Sequence, residues 1–213
     1  MGTLPIPRLS TGRYIAPAMS KWTFRSLTEA PLRELEKILA EGTAPDPDSL
    51  VGWEFRGWNV VLPVVKPVVS LLGIQRFAKG FYRVGDEYRG YNVDIQKGGV
   101  DEPWTGKPSD EAPVRRAFFQ VYPPGEGPRT APHDNALFLR YEGRPKNGLF
   151  DGGGLYGDGG LRDYVVLAAA DNPDLLVGKA YYRLPPFNFL GGFFIAERLR
   201  KYEFHEEGQK EAA

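Results

Sequence analysis

Residues 77–95 read FAKGFYRVGDEYRGYNVDI, and this stretch decides the fold class. Two runs rich in aromatic and β-branched residues, 77–84 and 87–95, are joined through Val84-Gly85-Asp86. That is the texture of two strands around a tight turn. So short a link makes them antiparallel, because a parallel crossover needs a dozen or more residues. The same texture recurs outward at 51–59, 114–122, 135–142, 161–169, 177–184 and 191–202. Ala170–Asp174, containing Asn172-Pro173, supplies a second short link. Strands in this number, without interleaved helices, predict a mainly β protein: a meander closing as an antiparallel up-and-down barrel, with a sandwich as the other solution.

The first fifty residues differ. Residues 1–25 read as an arm punctuated by Pro and Gly, with Trp22 and Phe24 anchoring it. One helix follows. Ser26 and Thr28 are N-cap candidates, and Ser26 with Glu29 matches a capping box. Pro31 is tolerated only in a first turn, which sets the start near Thr28. Leu32, Leu35, Ile38 and Leu39 recur at helical spacing, and Gly42 is a natural stop. The expected organisation is an arm and helix at 1–49, a barrel at 50–206 and a disordered tail at 207–213. Within the barrel, Val60–Ile74 carries Pro63, Lys66 and Pro67, with a short helix expected near Val68–Leu72 over an opening. Residues 98–113 and 143–160 read as long loops, which are commonly functional.

Composition removes many chemistries. The chain has 213 residues, 27 Lys+Arg against 27 Asp+Glu, two His and no Cys. No disulfide framework, thiol nucleophile or Cys-ligated metal is available. Two histidines exclude a three-His metal site. Zero net charge argues against a nucleic-acid partner. No stretch of Met1–Ser20 forms the apolar core of a secretory signal, and Val60–Ile74 is too short and interrupted to span a bilayer. A soluble, cytoplasmic protein without an integral membrane segment is the expectation.

Local motifs add little. Gly152-Gly153-Gly154-Leu155-Tyr156-Gly157 matches G-x-G-x-x-G by letter, but no buried strand precedes it and no helix follows, so it reads as a glycine loop. Asp151 and Asp158 fit no calcium-loop spacing. His133 sits in a turn and His205 near acidic residues; a haem needs one axial histidine, and an aromatic barrel leaves that open as a minor alternative. The serines lack a nucleophile-elbow setting. No metal and no cofactor are therefore expected.

The informative signal is charge on otherwise apolar strand faces. Asp163 falls on the face of Leu161, Val165 and Leu167. Lys179, Tyr181 and Arg183 share a face, and Glu197 shares one with Phe193 and Ile195. Such groups are either solvated at strand ends or aimed into a cavity. In the second case Asp163, Glu197 and one of Lys179, Arg183 or Arg198 would pair inside the barrel, with Tyr164, Tyr181 and Tyr182 as hydrogen-bond donors. Trp53, Phe55, Tyr91 and Phe118 would supply apolar wall.

The segment Leu50-Val51-Gly52-Trp53-Glu54-Phe55-Arg56-Gly57-Trp58-Asn59 leads from a helix into a Gly/Trp-bearing first strand. With the later Gly178-Lys179-Ala180-Tyr181-Tyr182 and Phe193–Arg198, it resembles the lipocalin-like (calycin) β-barrels, and bacterial G-x-W-x-G-type domains look similar. Glu54 stands where G-x-W expects Trp. The resemblance implies an interior that binds a small, largely apolar molecule. The ligand-contacting candidates are Trp53, Phe55, Tyr91, Phe118, Tyr164, Lys179, Tyr181, Arg183 and Arg198. One alternative is a cofactor-independent isomerase or cyclase using Asp163 or Glu197 as base and Tyr181 or Tyr182 as acid. A second is a partner- or membrane-interaction module through 60–74. The sequence leaves homo-oligomer formation open.

Overall fold

The computed structural model of the chain describes residues 21–60, 74–127, 133–141, 161–184, 187–202 and 204, with backbone alone at 182–184 and 187–191. Three helices precede eight strands: α1 (Phe24–Thr28), α2 (Leu32–Glu41), α3 (Pro47–Leu50), β1 (Trp53–Val60), β2 (Arg76–Val84), β3 (Glu87–Asp94), β4 (Arg115–Tyr122), β5 (Leu137–Tyr141), β6 (Leu161–Leu167), β7 (Leu175–Leu184) and β8 (Phe187–Lys201). Each strand pairs antiparallel with the next, and β8 pairs with β1. The sheet is a closed up-and-down barrel. The fold is therefore mainly β, as expected, and its architecture is consistent with a lipocalin-like barrel.

The expected helix is α2, which stops at Gly42 as expected but begins at Leu32 rather than near Thr28, and a separate short α1 precedes it. Thr23, not Ser26 or Thr28, caps the first turn: its hydroxyl accepts from Ser26 N while Ser26 Oγ accepts from Thr23 N. Ser26 is thus inside the short α1. Pro31 then stands as the N-cap of α2 and has no side-chain cap. The proline that was expected in a first turn instead separates two helices, because it cannot donate to the preceding turn. The expected helix near Val68–Leu72, the loop at 143–160 and the glycine motif at 152–157 lie outside the described residues.

Two apolar clusters follow from the strand alternation. One contains Phe55, Phe81, Phe119, Leu139, Tyr141, Val165, Leu176 and Phe194. It lines the lumen, as one contact proves. Lys79 on β2 and Asp163 on β6 belong to this face and meet at 3.2 Å. Those strands lie diametrically opposite in an eight-strand ring, so the side chains can touch only across the interior. The rings pack edge to face: Phe55–Phe81, Phe81–Phe119 and Phe77–Phe194 each have centroids 5.7 Å apart. The other cluster is external. There α1 and α2 bury Phe24, Leu27, Leu35 and Leu39 against Val166, Val177, Phe193 and Ile195.

Glycine makes the aromatic packing possible. Gly57 pairs with Phe77, Gly90 with Phe119 and Gly178 with Phe194. In each pair the ring lies over the glycine, where a Cβ would overlap it. This cross-strand arrangement covers a glycine with its neighbour's ring.

The two ends of the barrel differ. At the β1-start end, α3 inserts Leu50, fully buried, into the lumen cluster. Arg198 donates to Ser49 O there and lies over the Trp53 and Phe55 rings. At the opposite end, the connections between β1 and β2, β3 and β4, and β5 and β6 span 61–75, 95–114 and 142–160. Among the described residues, no helix is long and apolar enough to cross a membrane.

Candidate functional site

Alternation along β2 puts Phe77, Lys79 and Phe81 on the lumen face; along β6 it puts Leu161, Asp163 and Val165 there. Tyr141, the last residue of β5, and Asn92 of β3 reach the same place. Lys79 Nζ donates to Tyr141 Oη at 2.6 Å and to Asp163 Oδ2 at 3.2 Å. Tyr141 Oη in turn donates to Asp163 Oδ2 at 2.7 Å. Asn92 Nδ2 approaches the same phenol oxygen at 3.5 Å. Four polar side chains from four strands therefore converge on one point inside an aromatic interior.

The point is dry. Lys79 is 2% and Asp163 3% exposed. Four rings surround the ammonium, with centroids at 4.5 Å for Phe119, 5.1 Å for Tyr141, 5.3 Å for Phe194 and 5.6 Å for Phe77. Their negative faces add to the attraction of Asp163. Burial pushes the Lys79 amine below its ordinary pKa, against the opposing pull of Asp163. It likewise pushes the Asp163 carboxyl above the usual range, against Lys79 and the Tyr141 hydrogen bond. Both directions bring the two groups closer to sharing a proton.

The network is not saturated. Asp163 Oδ1 and Asn92 Oδ1 are buried and have no hydrogen-bond partner. A buried polar atom without a partner calls for an explanation, and an acceptor needs a donor. Above this layer, the Asp94–Arg116 ion pair (2.6 Å, each side chain 27% exposed) stands on the lumen face at the rim. The site therefore lies toward the end carrying the long connections, away from the α3 plug. Among the described residues, no group of three His, Asp or Glu converges as a metal site requires.

The structure separates the residues that sequence reasoning grouped together. Asp163 is in the lumen, but its partner is Lys79. Glu197 is on the outer surface, paired with Arg56. Lys179 is also outside and binds Glu36 of α2 at 2.6 Å. Burial opposes its charge, but hydrogen bonds to Glu36 and Tyr181 outweigh that and hold its pKa above the ordinary value. Tyr181 meets His133 Nε2 at 2.7 Å, and Tyr164 packs on the same histidine. Tyr91 and Phe118 are outside too. Tyr91 donates to Glu54 at 3.0 Å, and Phe204 packs on it with centroids 4.7 Å apart. Glu54 is fully buried and also accepts from Arg200 at 2.7 Å. Burial, then the Glu54 charge, pushes the Tyr91 hydroxyl far above its ordinary pKa. Phe55, Trp53 and Arg198 do face the lumen, but at the plugged end. Arg183 pairs with Asn188 in the backbone register, and its side chain is not among those described. The 60–74 interaction segment lies outside the described residues except for its two ends.

Sequence reasoning missed Lys79, Tyr141 and Asn92. The signal for Lys79 was the one used for Asp163: a charge flanked at i±2 by apolar residues, here Phe77 and Phe81. No family model, curated protein or solved structure matches the chain.

Proposed function

We propose that the chain binds a small molecule in the barrel interior, with its polar end at the Lys79–Tyr141–Asp163 centre. Its apolar body would lie against Phe77, Phe119 and Phe194, toward the end opposite α3. One observation carries this reading: Asp163 Oδ1, at a carboxylate 3% exposed, has no partner. A carboxylate oxygen left so is expensive, about 1–3 kcal/mol or more, and a ligand hydroxyl or N–H would supply its donor. Apolar walls with a few convergent polar groups are the ordinary lining of a small-molecule site. Kinship with lipocalin-like and G-x-W-x-G-type domains is part of this proposal and rests on the barrel together with the Gly/Trp first strand.

The test is calorimetric titration with a panel of aromatic alcohols and amides. Binding should show a negative heat-capacity change from apolar burial. It should weaken about tenfold or more in Asp163→Asn and Tyr141→Phe, since a hydrogen bond to a charged group contributes about 1.5–3 kcal/mol. Binding that ignores both substitutions would refute the assignment of the polar end.

A second reading has an observation in its favour. The carboxylate–Tyr pair required by a cofactor-independent isomerase is in the lumen, as Asp163 and Tyr141 at 2.7 Å. The raised Asp163 pKa moves that carboxylate toward the range of an effective general base. Its signature would be solvent-deuterium uptake next to the carbonyl of a bound ketone, lost in Asp163→Asn.

A further inference from the structure

We infer that Lys79 is an imine-forming amine: the lumen takes an aldehyde or ketone and joins it to Lys79 Nζ. This deepens the binding reading and rests on it. The inference stands on the arrangement around the nitrogen. Tyr141 Oη is 2.6 Å and Asp163 Oδ2 3.2 Å from Nζ, and these two oxygens are 2.7 Å apart. A proton can therefore pass among amine, phenol and carboxylate without bulk water. Burial favours the neutral amine over the ammonium and the neutral acid over the carboxylate. The neutral pair differs from the ion pair only in where one proton sits. It holds a free nucleophile beside its own acid.

The steps balance. The nitrogen lone pair forms the C–N bond, and the carbonyl π pair moves to oxygen. That oxygen takes a proton from Tyr141, which is restored from Asp163. The nitrogen returns one N–H proton to Asp163. The resulting carbinolamine carries an O–H and an N–H. These are the donors that Asp163 Oδ1 and Asn92 Oδ1, both without partners, can accept. Asp163 then protonates the departing hydroxyl, which leaves as water while the nitrogen pair completes C=N. The last N–H proton returns to Asp163. The sum is amine plus carbonyl giving imine plus water, with no oxidant or reductant.

The packing sets the substrate class. Phe77, Phe119 and Phe194 ring the nitrogen within 5.6 Å, which suits a flat or aromatic carbonyl compound and disfavours a sugar. The rim pair Asp94–Arg116 adds polar groups on the described lumen face above the centre.

The experiment is reductive trapping on the whole wild-type chain near neutral pH. Benzaldehyde is added with cyanoborohydride, and each lysine is scored by peptide mass spectrometry. The expected result is labelling of Lys79 at about tenfold or more the rate at Lys21 or Lys201, both exposed, because a desolvated amine beside its own acid is the activated nucleophile. Asp163→Asn should slow that labelling while leaving the exposed lysines unchanged. Binding of benzyl alcohol, measured in parallel, separates the two proposals. Alcohol binding with Lys79 unlabelled overturns imine formation and leaves the binding reading intact. Neither binding nor labelling overturns both. Because the wild-type map is decisive, a variant that fails to fold does not obscure the outcome.

Discussion

Breaking the Lys79–Asp163 pair one side at a time is the sharpest perturbation the structure offers. At 3.2 Å and an effective dielectric near 20, the attraction is about 5 kcal/mol. Several kcal/mol per ion oppose it as desolvation, so the intact pair contributes little net stability. Removing one partner leaves the other buried and unpaired, which costs about 3–5 kcal/mol. Asp163→Leu and Lys79→Met should therefore each lower the midpoint of thermal unfolding by roughly 6–20 °C. The double variant should lose far less than the sum, because both desolvation penalties vanish with the charges. The two single variants should also have opposite pH signatures. In Asp163→Leu the lone amine has a folded pKa below its ordinary 10.5. The unfolded chain then binds more protons, and stability rises as pH is raised toward 10.5. In Lys79→Met the lone carboxyl has a folded pKa above its ordinary 3.8. The folded chain then binds more protons, and stability recovers on acidification toward 3.8. Urea unfolding across a pH series measures all of this. Additive single-variant losses, or single losses below about 1 kcal/mol, would refute the pairing across the lumen, since exposed pairs behave that way.

Two other outcomes follow from the packing. Gly178→Ala should cost about 1–3 kcal/mol by overpacking, because its Cβ would overlap the Phe194 ring; chemical denaturation reads this directly, and a neutral result would mean that the ring does not lie on the glycine. His133 has its pKa lowered below 6.5 by burial first, then by the Lys179 charge. The unfolded chain therefore binds more protons below 6.5, and stability falls as pH drops from there to the folded value; His133→Gln should remove that part of the slope, and an unchanged slope would place the histidine in solvent.

The strands were legible because the turns were. Gly85-Asp86 and the 170–174 link left no room for a crossover at two junctions, and the other runs followed one another without interleaved helical periods, which favoured an antiparallel meander. The helix was legible in its body and its stop at Gly42, but not at its start, where two signals competed. Ser26 with Glu29 fits a capping box by letter, but Thr23 three residues earlier takes Ser26 as its own partner. The site was half legible. Alternation singled out Asp163 correctly as a charge on an apolar face. It could not say which face of the late strands was the lumen, because α1 and α2 make the outer face apolar as well: Val166, Val177, Phe193 and Ile195 are as buried as the interior. Glu197, Lys179 and Tyr181 were therefore grouped with Asp163 although a strand wall separates them. The true partner, Lys79, is 84 residues away in sequence and becomes a neighbour only when β8 closes on β1.

The most direct test of the central claim is native mass spectrometry of the chain purified from its source, compared with the same sample after denaturation. The account predicts a small molecule of defined mass retained in the folded barrel and released on unfolding, with a flat or aromatic body and a carbonyl, hydroxyl or N–H group. Repeatedly empty folded protein, with no small aromatic alcohol, amide or aldehyde able to enter when added, would contradict it.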